Sequence, residues 1–250
     1  MLKLLSYLLL SLPLTLLQPP PGQTPPLPSV QTPLRIDGFA PAIHLAPEET
    51  GAWPKPVMVF LHGINANPDE QCGWWQKVGQ TYGWMLCLRG SPQPGKPKAS
   101  NLWTHSGVAK TNREIFAALN ALKARYPKKV DLNATLLAGY SRGAILAPSL
   151  ATIAPDRYTF LYLAEGGLDS LKKVSAASLK AAGVKGVALA MGTSMRRRQA
   201  QRAIPGLKAA GLHTVYVDMP GAGHRMAADF DQIGAHGLNA LIKAVPRSAP

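Results

Sequence analysis

The pentapeptide Gly139-Tyr140-Ser141-Arg142-Gly143 stands between two segments of different character. Ala134–Ala138 before it is a short apolar run typical of a buried strand, and Ala144–Ala154 after it has the composition of a helix. A strand, a sharp turn with a serine at its tip and a helix together expose a nucleophilic hydroxyl. Glycines flank the turn because strand and helix approach too closely for a Cβ atom. The pentapeptide therefore predicts a strained, projecting Ser141 in an α/β protein.

Outward from this turn, apolar runs of strand length alternate with longer helical segments from residue 55 onward. The other predicted strands are Val57–Leu61, Trp84–Leu88, Thr159–Ala164, Gly186–Met191 and Thr214–Asp218. The other predicted helices are Asp69–Gly79, Val108–Tyr126, Asp169–Ala182, Arg196–Ala210 and Met226–Ala244. Continuous apolar strands that alternate with helices predict a mostly parallel, doubly wound sheet of about eight strands.

The ends and the long loops complete this fold prediction. Leu34–Ile36 and Ala42–Leu45 are candidates for short antiparallel strands at one edge of the sheet. A loop rich in turn residues is expected from Arg89 to Gly107. No helical insertion is long enough to form a large lid domain.

Composition divides the chain into three regions. Residues 1–18 resemble a signal-peptide leader, in which Lys3 precedes the 14-residue apolar run Leu4–Leu17, shorter than the roughly 20 residues that span a bilayer. No Ala-x-Ala cleavage site follows, so the leader is either removed on export to the periplasm or the exterior, or kept as a membrane tether. Residues 19–33 are dominated by proline and predict an extended linker, and residues 34–250 predict a single domain.

The charge balance is strongly basic, with 27 Lys and Arg residues against 13 Asp and Glu residues and a net charge of +14. A hydrophobic fraction of 46% excludes a disordered chain. The densest basic cluster, Arg196–Arg198 with Arg202, lacks interleaved aromatic residues, which argues against nucleic-acid binding and favours a solvated face. The charge favours a plain basic, soluble surface, with anionic envelope polymers or lipid headgroups as alternative partners. We expect the protein to be a monomer.

Two cysteines, Cys72 and Cys87, are present. Export would permit a disulfide, and a predicted helix and the next predicted strand bring the two residues within plausible reach. The alternative is a pair of unpaired thiols in the core. Two cysteines at this spacing do not form a zinc site, and no motif predicts a metal ion or a cofactor.

A serine hydroxyl becomes a good nucleophile when a base accepts its proton, so Ser141 requires a histidine. Among six histidines, His224 is the best candidate because it ends the flexible loop Pro220–Gly223 just after the last strand. Groups at the carboxyl ends of parallel strands converge on one crevice, where a serine from an earlier strand would meet this histidine. The alternative is a surface histidine without a role.

The segment His62-Gly63-Ile64 follows the first long strand and offers the second element of such a site. Attack on an acyl carbon creates an oxyanion that backbone N–H groups can stabilise. The N–H of Arg142 is one candidate donor, and that of Ile64 or of Asn65 is the other. His62 is expected to hold this loop in place, and His105 either lines the pocket or has a structural role.

Residues 55–245 resemble the serine hydrolases of the α/β-hydrolase fold, the esterase and lipase superfamily. Within that superfamily the chain is similar to compact polyhydroxybutyrate-depolymerase-like and dienelactone-hydrolase-like esterases. The matching pieces are Val57–Gly63, Gly139–Gly143 and Pro220–His224, each at the expected place along the chain.

This resemblance implies hydrolysis of carboxylic esters or related acyl bonds through an acyl-enzyme. It implies Ser141 as the nucleophile, His224 as the base, and the N–H groups of Ile64 and Arg142 as the oxyanion hole. The expected substrate is a small-molecule ester or an oligomeric polyester. Two alternatives stay open: a non-catalytic envelope-binding module on the same fold, and a serine peptidase that acts on short peptides.

The chain departs from the family at the third member of the triad. The acid usually follows the penultimate strand, but Gly192–Arg196 contains no carboxylate, and Met195 stands where Asp is expected. Some relatives carry the acid one strand earlier, where this chain has Glu165. Glu165 is therefore the predicted acid, Asp169 is a weaker candidate that can cap a helix, and a dyad supported by Ser194 or by a backbone carbonyl is a further alternative.

Aromatic residues are candidates for the substrate pocket. Trp74, Trp75 and Trp103 could line it, although at least one of them is expected to be buried in the core. The residues assigned to the pocket are Trp103, Asn65 and Tyr140.

Overall fold

An eight-stranded sheet forms the centre of the structure, a computed structural model that describes residues 30–49, 51–97 and 100–245. The predicted leader and residues 19–29 of the predicted linker lie outside the described residues. The ten strands of the described residues are β1 (Thr32–Leu34), β2 (Ala42–Leu45), β3 (Lys55–Leu61), β4 (Trp84–Leu88), β5 (Ser91–Pro92), β6 (Trp103–Thr104), β7 (Val130–Tyr140), β8 (Tyr158–Ala164), β9 (Gly186–Met191) and β10 (His213–Asp218). The helices are α1 (Pro68–Tyr82), α2 (Val108–Arg125), α3 (Arg142–Ile153), α4 (Leu168–Val174), α5 (Ala176–Ala181), α6 (Ser194–Ala209) and α7 (Phe230–Lys243).

The order of strands in the sheet is β1-β2-β4-β3-β7-β8-β9-β10. The six strands from β4 to β10 in this order are parallel, whereas β1 and β2 pair antiparallel at one edge. This confirms the predicted mostly parallel sheet of eight strands. Nearly every residue of the central strands is buried, because helices cover both faces of a sheet that is built from βα crossovers.

Two hydrophobic cores lie on opposite faces of the sheet. Helices α1 and α7 cover one face, and helices α2 to α6 cover the other. Within the part of the chain that the structure describes, no additional domain covers the carboxyl ends of the strands. No helix among the described residues is both long enough and apolar enough to cross a membrane.

Three elements differ from the sequence prediction. Strand β1 begins at Thr32, inside the predicted linker, and Pro33 is tolerated there because an edge strand needs no N–H donor on its open side. The predicted loop from Arg89 to Gly107 contains the β5–β6 hairpin. The predicted helix Asp169–Ala182 is two helices, because the Ser175 hydroxyl accepts a hydrogen bond from the Ser178 N–H (3.1 Å) and starts a new helix.

The predicted disulfide between Cys72 and Cys87 is confirmed. Both residues are buried, and the bond joins helix α1 to strand β4 with the Cα atoms 6.0 Å apart. The bond fixes α1 against the sheet, which matters because α1 carries Trp74 into the site described below.

Candidate active site

The turn between β7 and α3 has the geometry that the pentapeptide predicts. Ser141 has φ +49° and ψ −106°, a conformation that residues with a side chain rarely adopt. A Cβ atom at Gly139 would clash with the backbone of Gly143, and one at Gly143 would clash with the carbonyl of Leu61. The two glycines are therefore a steric requirement of the close contact between β7, α3 and β3.

Two neighbouring strands end in residues with the same strained backbone. The Ser141 N–H donates to the carbonyl of Ala164 (2.9 Å), and the Glu165 N–H donates to that of Ala190 (2.9 Å), so each residue extends its strand by one rung. Glu165 also has φ +49°. Gly166 follows it, and a Cβ atom there would lie 2.6 Å from the carbonyl oxygen of Ser141. The ends of β7 and β8 are thus packed directly against each other.

His224 connects these two strand ends. Its Nε2 lies 3.0 Å from the Oγ of Ser141, and its Nδ1 lies 3.0 Å from the Oε2 of Glu165. The loop that carries His224 follows β10 and turns through Gly221 and Gly223, which have φ of +78° and +63°. The side chain of His224 is 46% exposed, so solvent reaches the imidazole.

The carboxylate of Glu165 is completely buried and is held by donors from the next strand end. Its Oε1 accepts hydrogen bonds from the backbone N–H groups of Gly192 and Thr193, the latter at 3.2 Å. The Nε of Arg196 lies 3.8 Å from Oε2. A buried carboxylate needs such partners to remain charged. The turn after β9, where the resemblance led us to expect the acid, supplies hydrogen bonds to an acid from β8.

The other candidates for the acid do not contact the imidazole. Asp169 is exposed in the first turn of α4, and Ser194 is exposed at the start of α6. Among the described residues, neither side chain forms a hydrogen bond with His224. Met195, at the position where Asp is expected, is 58% exposed.

The loop after β3 approaches the serine turn from the opposite side. The Gly143 N–H donates to the carbonyl of His62 (3.1 Å), which fixes this loop against the start of α3. In residues 30–49, 51–97 and 100–245, the backbone N–H groups of Ile64 and Arg142 have no hydrogen-bond partner. Asn65 is exposed and has φ +53°, so the chain turns away directly after Ile64.

Two further imidazoles, those of His62 and His105, lie buried beneath this loop. The Nδ1 of His62 is 2.7 Å from the carbonyl oxygen of Gly63, and its Nε2 is 2.8 Å from that of Arg89. The ring of His105 lies 4.3 Å from that of His62. Burial lowers the pKa of His62 and lowers that of His105 still further, so both rings are neutral near pH 7. No three His, Cys, Asp or Glu side chains of the described residues are grouped as metal ligands.

A cleft of about 700 Å³ opens beside His224. Its walls combine aromatic rings with charged groups: Trp74, Tyr140 and Phe230 with Glu70, Arg225 and Asp231. Tyr140 was predicted for the pocket and Trp74 was a candidate. Phe230 and the charged residues were missed, because nothing local in the sequence indicates that the loop before α7 folds back over α1.

The three candidate tryptophans have different environments. Trp75 is fully buried in the core between α1 and α7. Trp103, which was assigned to the pocket, forms a backbone bridge with Ala66 and lines a separate groove with Phe39 and Lys110. The structure therefore brings Trp74, and not Trp103, into the cleft beside His224.

The basic cluster in α6 is only partly a solvated face. Arg197 forms two hydrogen bonds of 2.6 Å with the carboxylate of Asp218, and Arg196 approaches the buried Glu165. Arg198 and Arg202 are exposed. The prediction of a solvated face holds for these two residues and for Arg197, whose pairing with Asp218 lies at the surface. It fails for Arg196, because the end of β8 carries the buried Glu165 toward the first turn of α6.

No protein-family model matches the chain, and no curated protein matches it in sequence. Among solved structures, it is similar to a carboxylesterase of Bacillus cereus (TM-score 0.56, 15% identity, 82% of this chain and 96% of that one). It is also similar to an S-formylglutathione hydrolase of Agrobacterium tumefaciens (TM-score 0.53, 14% identity, 81% and 90%). An acylaminoacyl peptidase of Pyrococcus horikoshii matches with a TM-score of 0.52 and 12% identity over 84% of this chain and 39% of that one.

What these proteins share with the chain is the fold. The strand order, the two helical layers and the sharp turn after β7 define the α/β-hydrolase fold, which the motifs that resemble that superfamily predicted. Within this fold, the chain joins a serine, a histidine and a glutamate in one hydrogen-bonded series.

Proposed function

We propose that this protein is a serine hydrolase that cleaves carboxylic esters or related acyl bonds through an acyl-enzyme. The observation that carries the proposal is the continuous series from Ser141 Oγ through His224 to Glu165, with both contacts at 3.0 Å. A hydroxyl, an imidazole and a buried carboxylate in this order are the parts that nucleophilic acyl transfer requires. Fold alone would not support a reaction, because one fold carries many functions.

The reaction begins when Ser141 attacks the carbonyl carbon of the ester. As the Oγ–carbon bond forms, Nε2 of His224 takes the hydroxyl proton and the carbonyl π electrons move onto oxygen. The carboxylate of Glu165 stabilises the imidazolium and holds its Nδ1–H. The free N–H groups of Ile64 and Arg142 are the proposed donors to the oxyanion.

The intermediate then collapses and the carbon–oxygen bond to the alcohol breaks. His224 donates its proton to the departing alkoxide, so the alcohol leaves neutral and the acyl group stays on Ser141. Water enters on the exposed side of the imidazole, gives a proton to Nε2 and attacks the acyl carbon. The second oxyanion then collapses, the Oγ–carbon bond breaks, and His224 returns its proton to Oγ, so the acid is released and the hydroxyl of Ser141 is restored.

The cleft beside His224 is the proposed substrate site. Its aromatic walls favour contact with apolar groups, and its open side would admit one unit of a longer chain. A small-molecule ester or an oligomeric polyester therefore remains the proposed substrate. The carboxylesterase and hydrolase names of structural neighbours support this class of reaction.

We place the protein outside the cytoplasm, in the periplasm or secreted. The leader-like segment and the Cys72–Cys87 disulfide support this, because disulfides persist in oxidising compartments. The net charge of +14 supports contact with an anionic envelope surface, and we propose a monomer without a nucleic-acid partner.

Titration with a fluorophosphonate probe tests the proposal directly. We expect one equivalent to label Ser141, and Ser141→Ala to lose both labelling and ester turnover, the latter by at least about 10⁴-fold. Ser194→Ala is the matched control, since it changes an exposed serine that follows β9, and it should keep both. A panel of p-nitrophenyl esters and peptide anilides, with mass mapping of the labelled peptide, gives the measurement.

Three results would contradict this proposal. A wild-type protein without labelling would favour a non-catalytic binding module. Faster cleavage of the anilides would favour a peptidase. Labelling that persists in Ser141→Ala would place the nucleophile elsewhere.

A further inference from the structure

Tyr140 contacts both of the loops that flank the proposed nucleophile. It is the last residue of β7, immediately before Ser141, and its side chain is on the face that α1 and α7 cover. Tyr140 is 6% exposed, which is little for a residue at the edge of an open cleft. Its surroundings therefore hold it firmly.

The first contact is with the backbone of the histidine loop. The Tyr140 hydroxyl donates to the carbonyl oxygen of His224 at 2.6 Å. The phenol ring also lies along the imidazole, with ring centres 5.5 Å apart and planes 25° apart. Trp74 also packs against the phenol ring, nearly perpendicular to it, with ring centres 6.0 Å apart.

The second contact is with the loop that carries Ile64. A Cβ atom at Gly63 would lie 3.2 Å from Cδ1 of Tyr140, so the Gly63 backbone rests on the edge of the same ring. A side chain at Gly63 would require the loop or the ring to shift by a few tenths of an ångström. One phenol thus touches both the loop of the proposed base and the loop of a proposed oxyanion donor.

The backbone of the histidine loop has few other hydrogen bonds. Among the described residues, the backbone atoms from Pro220 to Met226 form one other, from the Ala222 N–H to the carbonyl of Met219 (3.2 Å), the residue just before the loop. Two glycines with positive φ give this loop a flexible backbone. The Tyr140 hydroxyl is the hydrogen bond that ties its backbone to the sheet.

We propose that Tyr140 is a positioning residue, which sets the imidazole of His224 and the loop of Ile64 at the correct distances from Ser141. The inference rests on the proposed function. Such positioning would raise the reaction rate, because a displacement of about 1 Å between reacting groups can lower the rate on the order of 10²-fold. Burial raises the pKa of the Tyr140 hydroxyl, so it keeps its proton and its hydrogen bond at the pH where His224 acts as a base.

Tyr162 offers a matched control. It lies on the same face of the sheet, is fully buried, and donates its hydroxyl to the carbonyl of Gly234 in α7 (3.2 Å), away from Ser141. Tyr162→Phe therefore removes the same kind of bond from the same core. Its effect measures what loss of a buried tyrosine–carbonyl bond does through stability alone.

The test compares Tyr140→Phe, Tyr140→Leu and Tyr162→Phe in the full chain. We expect Tyr140→Phe to lower kcat about tenfold, because it removes one hydrogen bond, and to leave KM within about twofold of the wild-type value. The rate of fluorophosphonate labelling should fall by the same factor, since labelling also needs the base. Tyr140→Leu, which removes the ring contacts too, should lose about 10²-fold or more. Tyr162→Phe should lower the melting temperature without changing either rate.

The outcomes separate this inference from the proposed function. Wild-type activity together with an unimpaired Tyr140→Phe would overturn the role of Tyr140 alone, as would an equal loss of kcat in Tyr162→Phe. A wild-type protein that neither hydrolyses esters nor labels would overturn the proposed function and this role with it. If Tyr140→Leu fails to fold, Tyr140→Phe still decides the question.

Discussion

Two histidines lie at carboxyl ends of strands around Ser141, and the structure gives them opposite surroundings. His224, in the loop after β10, faces the Ser141 hydroxyl with one nitrogen and the Glu165 carboxylate with the other. His62, directly after β3, faces backbone carbonyl oxygens with both nitrogens. His62 is 1% exposed, whereas the side chain of His224 is 46% exposed.

The chemical role of each imidazole follows from its hydrogen-bond partners and not from its proximity to Ser141. A carboxylate can stabilise the imidazolium that forms during proton transfer, whereas a carbonyl dipole does so far less. Burial also lowers the pKa of His62 and favours its neutral form. His62 is therefore suited to join the loop of Ile64 to the turn after β4, and His224 is suited to take and return a proton.

Replacing each of these two histidines by alanine should separate their roles, and His224→Ala should cause the greatest loss of activity. His224→Ala should lower kcat by at least about 10⁴-fold with little change in the free energy of unfolding, because the side chain is half exposed. His62→Ala should lower the free energy of unfolding by about 1–3 kcal/mol, because it removes the N–H donor from one of the two loop carbonyls that it faces, and should lower kcat only about tenfold. Urea unfolding and ester kinetics on both variants provide the check. Equal losses of kcat would break the distinction.

Removing the charge beside the imidazole should have the next largest effect. Glu165→Gln should lower kcat by about 10³-fold, since the amide holds the ring but cannot stabilise its charged form. Asp169→Asn is the matched control, because Asp169 follows the same strand and is exposed. It should retain kcat within about twofold. A loss below about fivefold in Glu165→Gln would remove Glu165 from the triad.

A third histidine, His44, should make the stability of the protein depend on pH. His44 is fully buried between the carbonyl of Thr32 (2.8 Å) and the hydroxyl of Tyr126 (3.2 Å), and burial lowers its pKa to about 4. In the unfolded chain its pKa returns to about 6.5, so the unfolded state binds the extra proton between these values. The contribution of neutral His44 to the free energy of unfolding is therefore complete above pH about 6.5 and is lost as the pH falls toward 4. This contribution is on the order of 3 kcal/mol at most.

The measurement is the free energy of unfolding as a function of pH. His44→Gln should flatten the acid slope while the kcat of the folded protein changes by less than about twofold, since His44 is remote from Ser141. His62 and His105 keep the remaining slope, because burial lowers their pKa values too. An unchanged slope in His44→Gln would contradict the assignment.

Much of the molecule could be predicted from local sequence. The alternation of strands and helices led to the sheet, and the two glycines around Ser141 led to the turn, because both depend on neighbours along the chain. The disulfide was anticipated from compartment and spacing. His224 and Glu165 were candidates because carboxyl ends of parallel strands meet at one edge.

Other features depend on contacts between distant parts of the chain. Nothing near Trp74 and Trp103 distinguishes the wall of the cleft from a separate groove, because the packing of α1 against the loop before α7 decides it. The ion pair between Arg197 and Asp218 joins helix α6 to the end of β10. The distance between these two elements could not be predicted from the sequence. The role we infer for Tyr140 likewise follows from loops that meet at its ring.

From its sequence alone the chain could be assigned a fold class, a strained serine turn and a short set of partners for Ser141. Which carboxylate reaches His224 depends on tertiary packing, because the turn after β9, where an acid was expected, directs two N–H groups at Glu165 instead. Local pattern sets backbone conformation, which depends on adjacent residues. Chemistry at a site depends on distances of about 3 Å between side chains far apart in the chain, and only the packed sheet sets those distances.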